Sequence, residues 1–153
     1  DKLDQVVRDA TELGATAILP AISERSVAKR TTDPALHRLR RIAVEAARQC
    51  GRGDVPHIAA PRPLTEVLSE AAPGVRVALD PLATMPLAQA LCLPNVSTFT
   101  FVVGPEGGLT ATELVEAVER GFERVRFGRF VLRTETVAAA VLGALTAIAE
   151  QVP

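Results

Sequence analysis

Short apolar runs alternate with segments of helical periodicity along the chain, and this alternation is what most constrains the fold. The predicted strands cover residues 17–19, 55–59, 75–79, 98–103 and 123–127. The predicted helices cover residues 3–13, 33–50, 64–71, 87–93, 110–121 and 135–151. Such alternation is typical of an α/β fold with a mostly parallel sheet flanked by helices, in which ligands bind at the carboxyl ends of the strands.

The composition supplies enough apolar surface for a core and too little for a membrane span. Of 153 residues, 48% are apolar and 23% are charged, which excludes a disordered polymer. No apolar run reaches the roughly 20 residues that cross a bilayer, and the first residues lack the features of a signal peptide. No linker interrupts the pattern, so we expect one domain over residues 1–153.

The sequence offers no motif for metal or acyl-transfer catalysis. His37 and His57 have no Cys, His or carboxylate at ligand spacing, and no Gly-x-Ser-x-Gly motif occurs. Cys50 and Cys92 also lack metal spacing, and we expect Cys50 on the buried face of its helix. So few cysteines indicate a reducing compartment, the cytoplasm.

A glycine-rich segment, Gly104–Gly108, follows the predicted strand that ends at Val103. Its three glycines allow a ligand to approach backbone amides, next to a helix whose start carries the capping-box pair Thr110 and Glu113. The alternative is a tight strand-to-helix turn without a ligand. The spacing matches neither the Walker loop nor the dinucleotide fingerprint.

Two further features are candidates for binding a polyanion. Arg133 precedes the last helix and could bind a phosphate or carboxylate, while Thr134 or Thr136 could simply cap that helix. The second feature is the segment Arg25–Arg52, which has a net charge of +6 in a chain whose total is −1. This segment is either a phosphate-contacting patch or a solvated helix face.

Several motifs occur together in one order, and jointly they are specific. They are Ala10-Thr11-Glu12-Leu13-Gly14, Ser23-Glu24-Arg25-Ser26, Gln49-Cys50-Gly51-Arg52, Gly104-Pro105-Glu106-Gly107-Gly108 and Leu132-Arg133-Thr134-Glu135-Thr136. This set resembles the RsmE-type family of bacterial ribosomal RNA methyltransferases, which methylate N3 of a uridine in 16S ribosomal RNA. The resemblance implies a SPOUT-type α/β knot with a C-terminal trefoil knot, a homodimer, and an N-terminal PUA-like RNA-binding domain that this chain lacks.

The resemblance also implies roles for individual residues. S-adenosylmethionine is the implied cofactor, without a metal, and its implied binding residues are Leu79, Gly104, Gly107, Phe127 and Leu132. Arg133 would orient the nucleotide, and Glu135 and Glu106 are the candidate carboxylates for removal of the N3 proton. Arg25 and Arg52 would contact RNA in the small ribosomal subunit. Asp9 departs from the family pattern, because a Lys commonly stands there.

Two other functions stay open at this point. One is a 2′-O-ribose methyltransferase of the same fold, and the other is a non-catalytic RNA-binding or ribosome-assembly module. Without the N-terminal domain, we expect the chain to bind the cofactor but to methylate RNA poorly.

Overall fold

The computed structural model describes residues 2–26, 33–91 and 98–149. The helices in these ranges are α1 Lys2–Glu12, α2 Asp33–Cys50, α3 Leu64–Ser69, α4 Leu87–Leu91, α5 Ala111–Glu119 and α6 Thr134–Ala149. The strands are β1 Ala17–Ile18, β2 Ala21–Ile22, β3 His57–Ile58, β4 Arg62–Pro63, β5 Val75–Leu79, β6 Phe99–Val102 and β7 Glu123–Val125. The described residues group into two compact units. The first contains residues 2–20, 33–61 and 135–149, and the second contains residues 21–26, 62–91 and 98–134.

The first unit is built on the packing of α1 against α2. Their apolar faces share a buried cluster with β3, made of Val7, Leu39, Ala43 and Ile58. Strand β1 pairs with β3 in parallel. At the carboxyl end of α1, the Arg52 guanidinium donates to the carbonyls of Thr11 at 2.7 Å and Ala15 at 2.9 Å. Arg52 therefore holds the turn that leads from α1 into β1.

The second unit contains a three-stranded parallel sheet in the order β6-β5-β7. The central strand, β5, pairs with both neighbours and is buried from Val77 to Leu79. One buried cluster joins this sheet to α3 and α5; its members are Leu64, Leu68, Ala78, Leu114, Ala117 and Phe122. Strands β2 and β4 form a separate parallel pair.

The α/β prediction with parallel strands is confirmed, since every strand pairing among the described residues is parallel. These pairings fall into three small sheets, and β2 and β4 were not predicted because each has only two residues and directly follows a proline, Pro20 or Pro61. The prediction for Cys50 is wrong, because its side chain is exposed on the last turn of α2. The trefoil knot and the single domain stay predictions. Cys92, residues 27–32 of the basic segment Arg25–Arg52, and residues 150–151 of the last predicted helix lie outside the described residues.

Candidate functional site

Three loops leave the sheet of the second unit at one edge. Because β6, β5 and β7 are parallel neighbours, their carboxyl ends lie side by side. Leu79 is the last residue of β5, Gly104 lies two residues beyond β6, and Phe127 lies two residues beyond β7. The structure therefore brings these three predicted cofactor residues to the edge where ligands of parallel sheets bind.

Asp80 fixes the path of the loop after β5. Its side chain is buried at 5% exposure, one carboxylate oxygen accepts from the Leu82 amide at 3.0 Å, and the other accepts from Arg124 Nε at 3.0 Å. Its own amide donates to the Val125 carbonyl at 2.9 Å. Sequence reasoning missed this residue, although an acid directly after an apolar strand was an available signal.

The glycine-rich loop is a tight turn. The Gly108 amide donates to the Pro105 carbonyl at 2.7 Å, and Gly108 has a φ of +70°, which L side chains rarely adopt. At Gly104 a Cβ would lie 2.8 Å from the Leu109 nitrogen, closer than real Cβ atoms come. The predicted capping box follows, with the Glu113 carboxylate accepting from the Thr110 amide at 2.8 Å. The turn alone thus requires glycine at two positions.

Residues 23–26, here called the serine turn, lie against the glycine-rich loop. The Arg25 guanidinium donates to the Gly107 carbonyl at 2.6 Å, and the Glu24 amide donates to Glu113 Oε1 at 2.8 Å. Within the turn, the Ser23 and Ser26 hydroxyls are 2.9 Å apart. The guanidinium of Arg25 therefore binds the protein's own backbone. The predicted contact of Arg25 with RNA stays a prediction.

The loop after β7 leads to the start of α6 and is tied to the glycine-rich loop. The Thr134 hydroxyl donates to the Gly104 carbonyl at 3.0 Å. Just before it, Arg133 is exposed and Leu132 is 37% exposed. Phe130 and Val131 are also exposed. This hydrogen bond joins the Gly104–Gly108 motif to the Leu132–Thr136 motif.

The two predicted carboxylates lie in different environments. Glu106 is exposed on the glycine-rich loop, whereas Glu135, the second residue of α6, is only 8% exposed. Its Oε2 has no hydrogen-bond partner among the residues the structure describes. A buried acceptor without a donor raises the free energy of the folded state. The partial positive charge at the N-terminus of α6 offsets only part of this increase. Glu135 is therefore suited to accept a hydrogen bond from a ligand.

Arg52, the second predicted RNA contact, also binds within the protein. Besides its two carbonyl partners it donates to Asp54 Oδ2 at 2.7 Å, and its side chain is 15% exposed. That hydrogen bond holds the pKa of Asp54 below its ordinary value and raises the pKa of Arg52. An RNA contact by Arg52 stays a prediction.

The described parts of the chain show no cluster of three or more His, Cys, Asp or Glu side chains that could hold a metal ion. In those same parts, none of the helices has the length and apolar character needed to cross a membrane.

Residues 1–146 match the family model described as RNA methyltransferase domain. The chain belongs to this RNA methyltransferase family. It is 33% identical over 151 residues to the ribosomal RNA small subunit methyltransferase E of Synechocystis, covering 96% of this chain and 50% of that protein. It is 34% identical over 161 residues to the Bacillus subtilis protein of the same name, covering 99% of this chain and 62% of that protein.

Among solved structures, a ribosomal RNA small subunit methyltransferase E from Neisseria gonorrhoeae bound to S-adenosyl methionine matches with a TM-score of 0.87. Its sequence identity to this chain is 32%, and the match covers 97% of this chain and 61% of that one. The chain thus spans between 50% and 62% of the length of these relatives.

Proposed function

We propose that this chain carries an S-adenosylmethionine-dependent activity that methylates N3 of a uridine in 16S ribosomal RNA. The observation that carries the proposal is the hydrogen bond from Thr134 to Gly104, which joins the glycine-rich loop to the segment that contains Arg133. The family match, and the cofactor bound to the Neisseria relative, support the reaction class.

The described residues suit this cofactor. Adenosine needs apolar walls and backbone hydrogen bonds, and the edge offers the half-buried Phe127, the partly exposed Leu132 and the side-chain-free backbone of Gly107. Buried Leu79 ends the neighbouring strand. When bound, S-adenosylmethionine supplies a methyl group already activated by its sulfonium, so the chemistry needs no metal.

The protein has to orient uracil and remove its N3 proton, because the neutral imide is a poor nucleophile. Arg133 is exposed and can hold a nucleotide phosphate in a bidentate contact. Glu135 Oε2, buried and without a partner among the described residues, is the acceptor that we assign to the N3 proton. With the cofactor bound, N3 would bond to the methyl carbon as the carbon–sulfur bond breaks and its electron pair returns to sulfur, while the Glu135 carboxylate would accept the N3 proton.

The RNA partner is supported by charge on the same loop. Residues 126–133, which follow β7, contain three arginines and no acid, and all three, Arg126, Arg129 and Arg133, are exposed. Such a strip can contact phosphates locally in a chain that is almost neutral overall. We assign these arginines to the ribosomal RNA of the small subunit.

A homodimer is supported by exposed apolar side chains at the same edge. Leu82 is 87% exposed, Phe130 80% and Val131 76%, in loops that follow the neighbouring strands β5 and β7. Clustered exposed apolar residues are typical of interaction surfaces. A second copy of the chain is the occupant that the family resemblance implies.

Glu135→Gln tests the proposed chemistry, because the amide keeps the shape and cannot accept a proton. We expect methyl transfer to fall about 100-fold or more, with the Kd for S-adenosylmethionine changed less than about threefold. The control is Glu106→Gln, which removes the exposed carboxylate and should leave transfer within about threefold. Full activity of Glu135→Gln would remove Glu135 from the mechanism, and loss in the control instead would assign the role to Glu106.

A further inference from the structure

We propose that Arg25 is a positioning residue that sets the orientation of a peptide group in the glycine-rich loop, and that Glu113 holds Arg25 in place. The effect on ligand affinity rests on the proposed function, in which this loop binds S-adenosylmethionine. The proposal gives Arg25 a role different from the RNA contact that its place in a basic segment predicts.

The peptide group between Gly107 and Gly108 is held at both of its polar atoms. Its carbonyl accepts from Arg25 Nη1 at 2.6 Å, and its amide donates to the Pro105 carbonyl at 2.7 Å. The aliphatic part of Arg25 also lies against the loop, since a Cβ on Gly107 would be 3.2 Å from Arg25 Cδ. Arg25 thus both binds and covers this peptide.

A peptide between two glycines rotates easily, because neither residue has a Cβ that restricts its φ and ψ. Without a donor on the Gly107 carbonyl, other orientations of the group become accessible. A ligand that binds the loop backbone would then have to select one orientation, and the population of the competent state would fall. The Arg25 contact keeps the group in one orientation before the ligand arrives.

Glu113 connects Arg25 to the helix that follows the loop. One carboxylate oxygen accepts from the Thr110 amide at the start of α5, and the other accepts from the Glu24 amide, both at 2.8 Å. The Ser26 hydroxyl accepts from the Ser23 amide at 3.0 Å and closes the serine turn. Glu113 therefore does more than cap a helix: it anchors the residue next to Arg25.

The first test is Arg25→Met, which keeps an unbranched apolar side chain and removes the donors. Calorimetry on the 153-residue chain should show S-adenosylmethionine binding about tenfold weaker, as expected for loss of a hydrogen bond from a charged donor. The control is Arg48→Met, which removes an exposed arginine of the same basic segment and should leave the Kd within twofold. Glu113→Gln, which keeps one acceptor of two, should weaken binding by about two- to fivefold.

The competing role predicts a different result. If Arg25 contacts a phosphate, Arg25→Met leaves the Kd for S-adenosylmethionine within twofold. It also reduces the magnitude of the negative slope of log K for RNA binding against log salt concentration by about 1. That outcome overturns the proposal. We expect the salt slope to stay as in the unsubstituted chain.

Hydrogen exchange measured in the absence of ligand tests the role of Arg25 independently of the proposed function. In the free chain, Arg25→Met should accelerate hydrogen exchange of the Gly108 amide, while amides of β5 keep their protection. If the chain binds no S-adenosylmethionine but this exchange accelerates, the proposed function fails and the positioning role stands. If the exchange at Gly108 is unchanged, the positioning role is wrong whatever the ligand data show.

Discussion

Gly104→Ala should weaken cofactor binding because the added methyl has no room in the loop. A Cβ at this position would lie 2.8 Å from the Leu109 nitrogen, 3.0 Å from the Gly108 carbonyl carbon and 3.1 Å from Leu109 Cγ. Two of these atoms are backbone, so the loop itself has to open. Overpacking of this kind costs about 1–3 kcal/mol.

This cost can appear in either of two measurements. If the free loop relaxes by opening, the ligand has to close it again, and the Kd for S-adenosylmethionine rises by about 5-fold to 150-fold at 1.4 kcal/mol per factor of ten. If the loop stays closed under strain, the melting temperature falls by about 2–4 °C per kcal/mol in a chain of this size. Calorimetric titration and a thermal scan of the same sample measure both.

Gly53→Ala is the matched control. It makes the same change at a glycine whose φ is ordinary and whose added Cβ meets nothing within 4 Å. We expect its Kd to stay within twofold and its melting temperature within about 1 °C. The reasoning is refuted if Gly104→Ala behaves like Gly53→Ala in both measurements.

Three further predictions address stability and assembly. Gly143→Ala in α6 adds a methyl with no atom within 4 Å and should stabilise the chain by about 0.5–1 kcal/mol in urea unfolding, whereas a loss would mean that another surface packs there. Because Arg52 lowers the pKa of Asp54, the ionised carboxylate stabilises the fold at pH values above the ordinary pKa of Asp. This stabilisation is lost as the pH falls through the lowered pKa. Asp54→Asn should therefore unfold at less urea at pH 7, with the gap to the unsubstituted chain narrowing below about pH 4, and a constant gap would contradict the ion pair as its cause. Phe130→Glu should shift sedimentation from dimer toward monomer, and an unchanged dimer would place the interface elsewhere.

Patterns of neighbouring residues in the sequence correctly predicted the structural features that depend on interactions between neighbouring residues. Strand β5 has the predicted bounds, and the Thr110 and Glu113 capping box forms as expected, because its two partners are three residues apart. The placement of Leu79, Gly104 and Phe127 at one sheet edge also follows from the alternation of strands and helices. These features need no knowledge of distant contacts.

The missed side-chain contacts join residues far apart in the chain. Arg124 binds Asp80 across 44 residues, Arg25 binds Gly107 across 82, and Glu24 binds Glu113 across 89. Charge alone suggested that Arg25 faces solvent or RNA, because a sequence does not show which carbonyl a guanidinium reaches. The exposure of Cys50 was missed for a local reason: it is the last residue of α2, where the apolar face of the helix ends.

The central claim is the transfer of a methyl group to uridine N3, and nucleoside mass spectrometry tests it most directly. The sample is 16S ribosomal RNA from a strain that lacks the gene for this chain, compared with the parent strain and with a strain in which the gene is restored. We predict that N3-methyluridine is absent from the first and present in the other two. Loss of a 2′-O-methylated nucleoside instead, or no change in any methylated nucleoside, would contradict the claim.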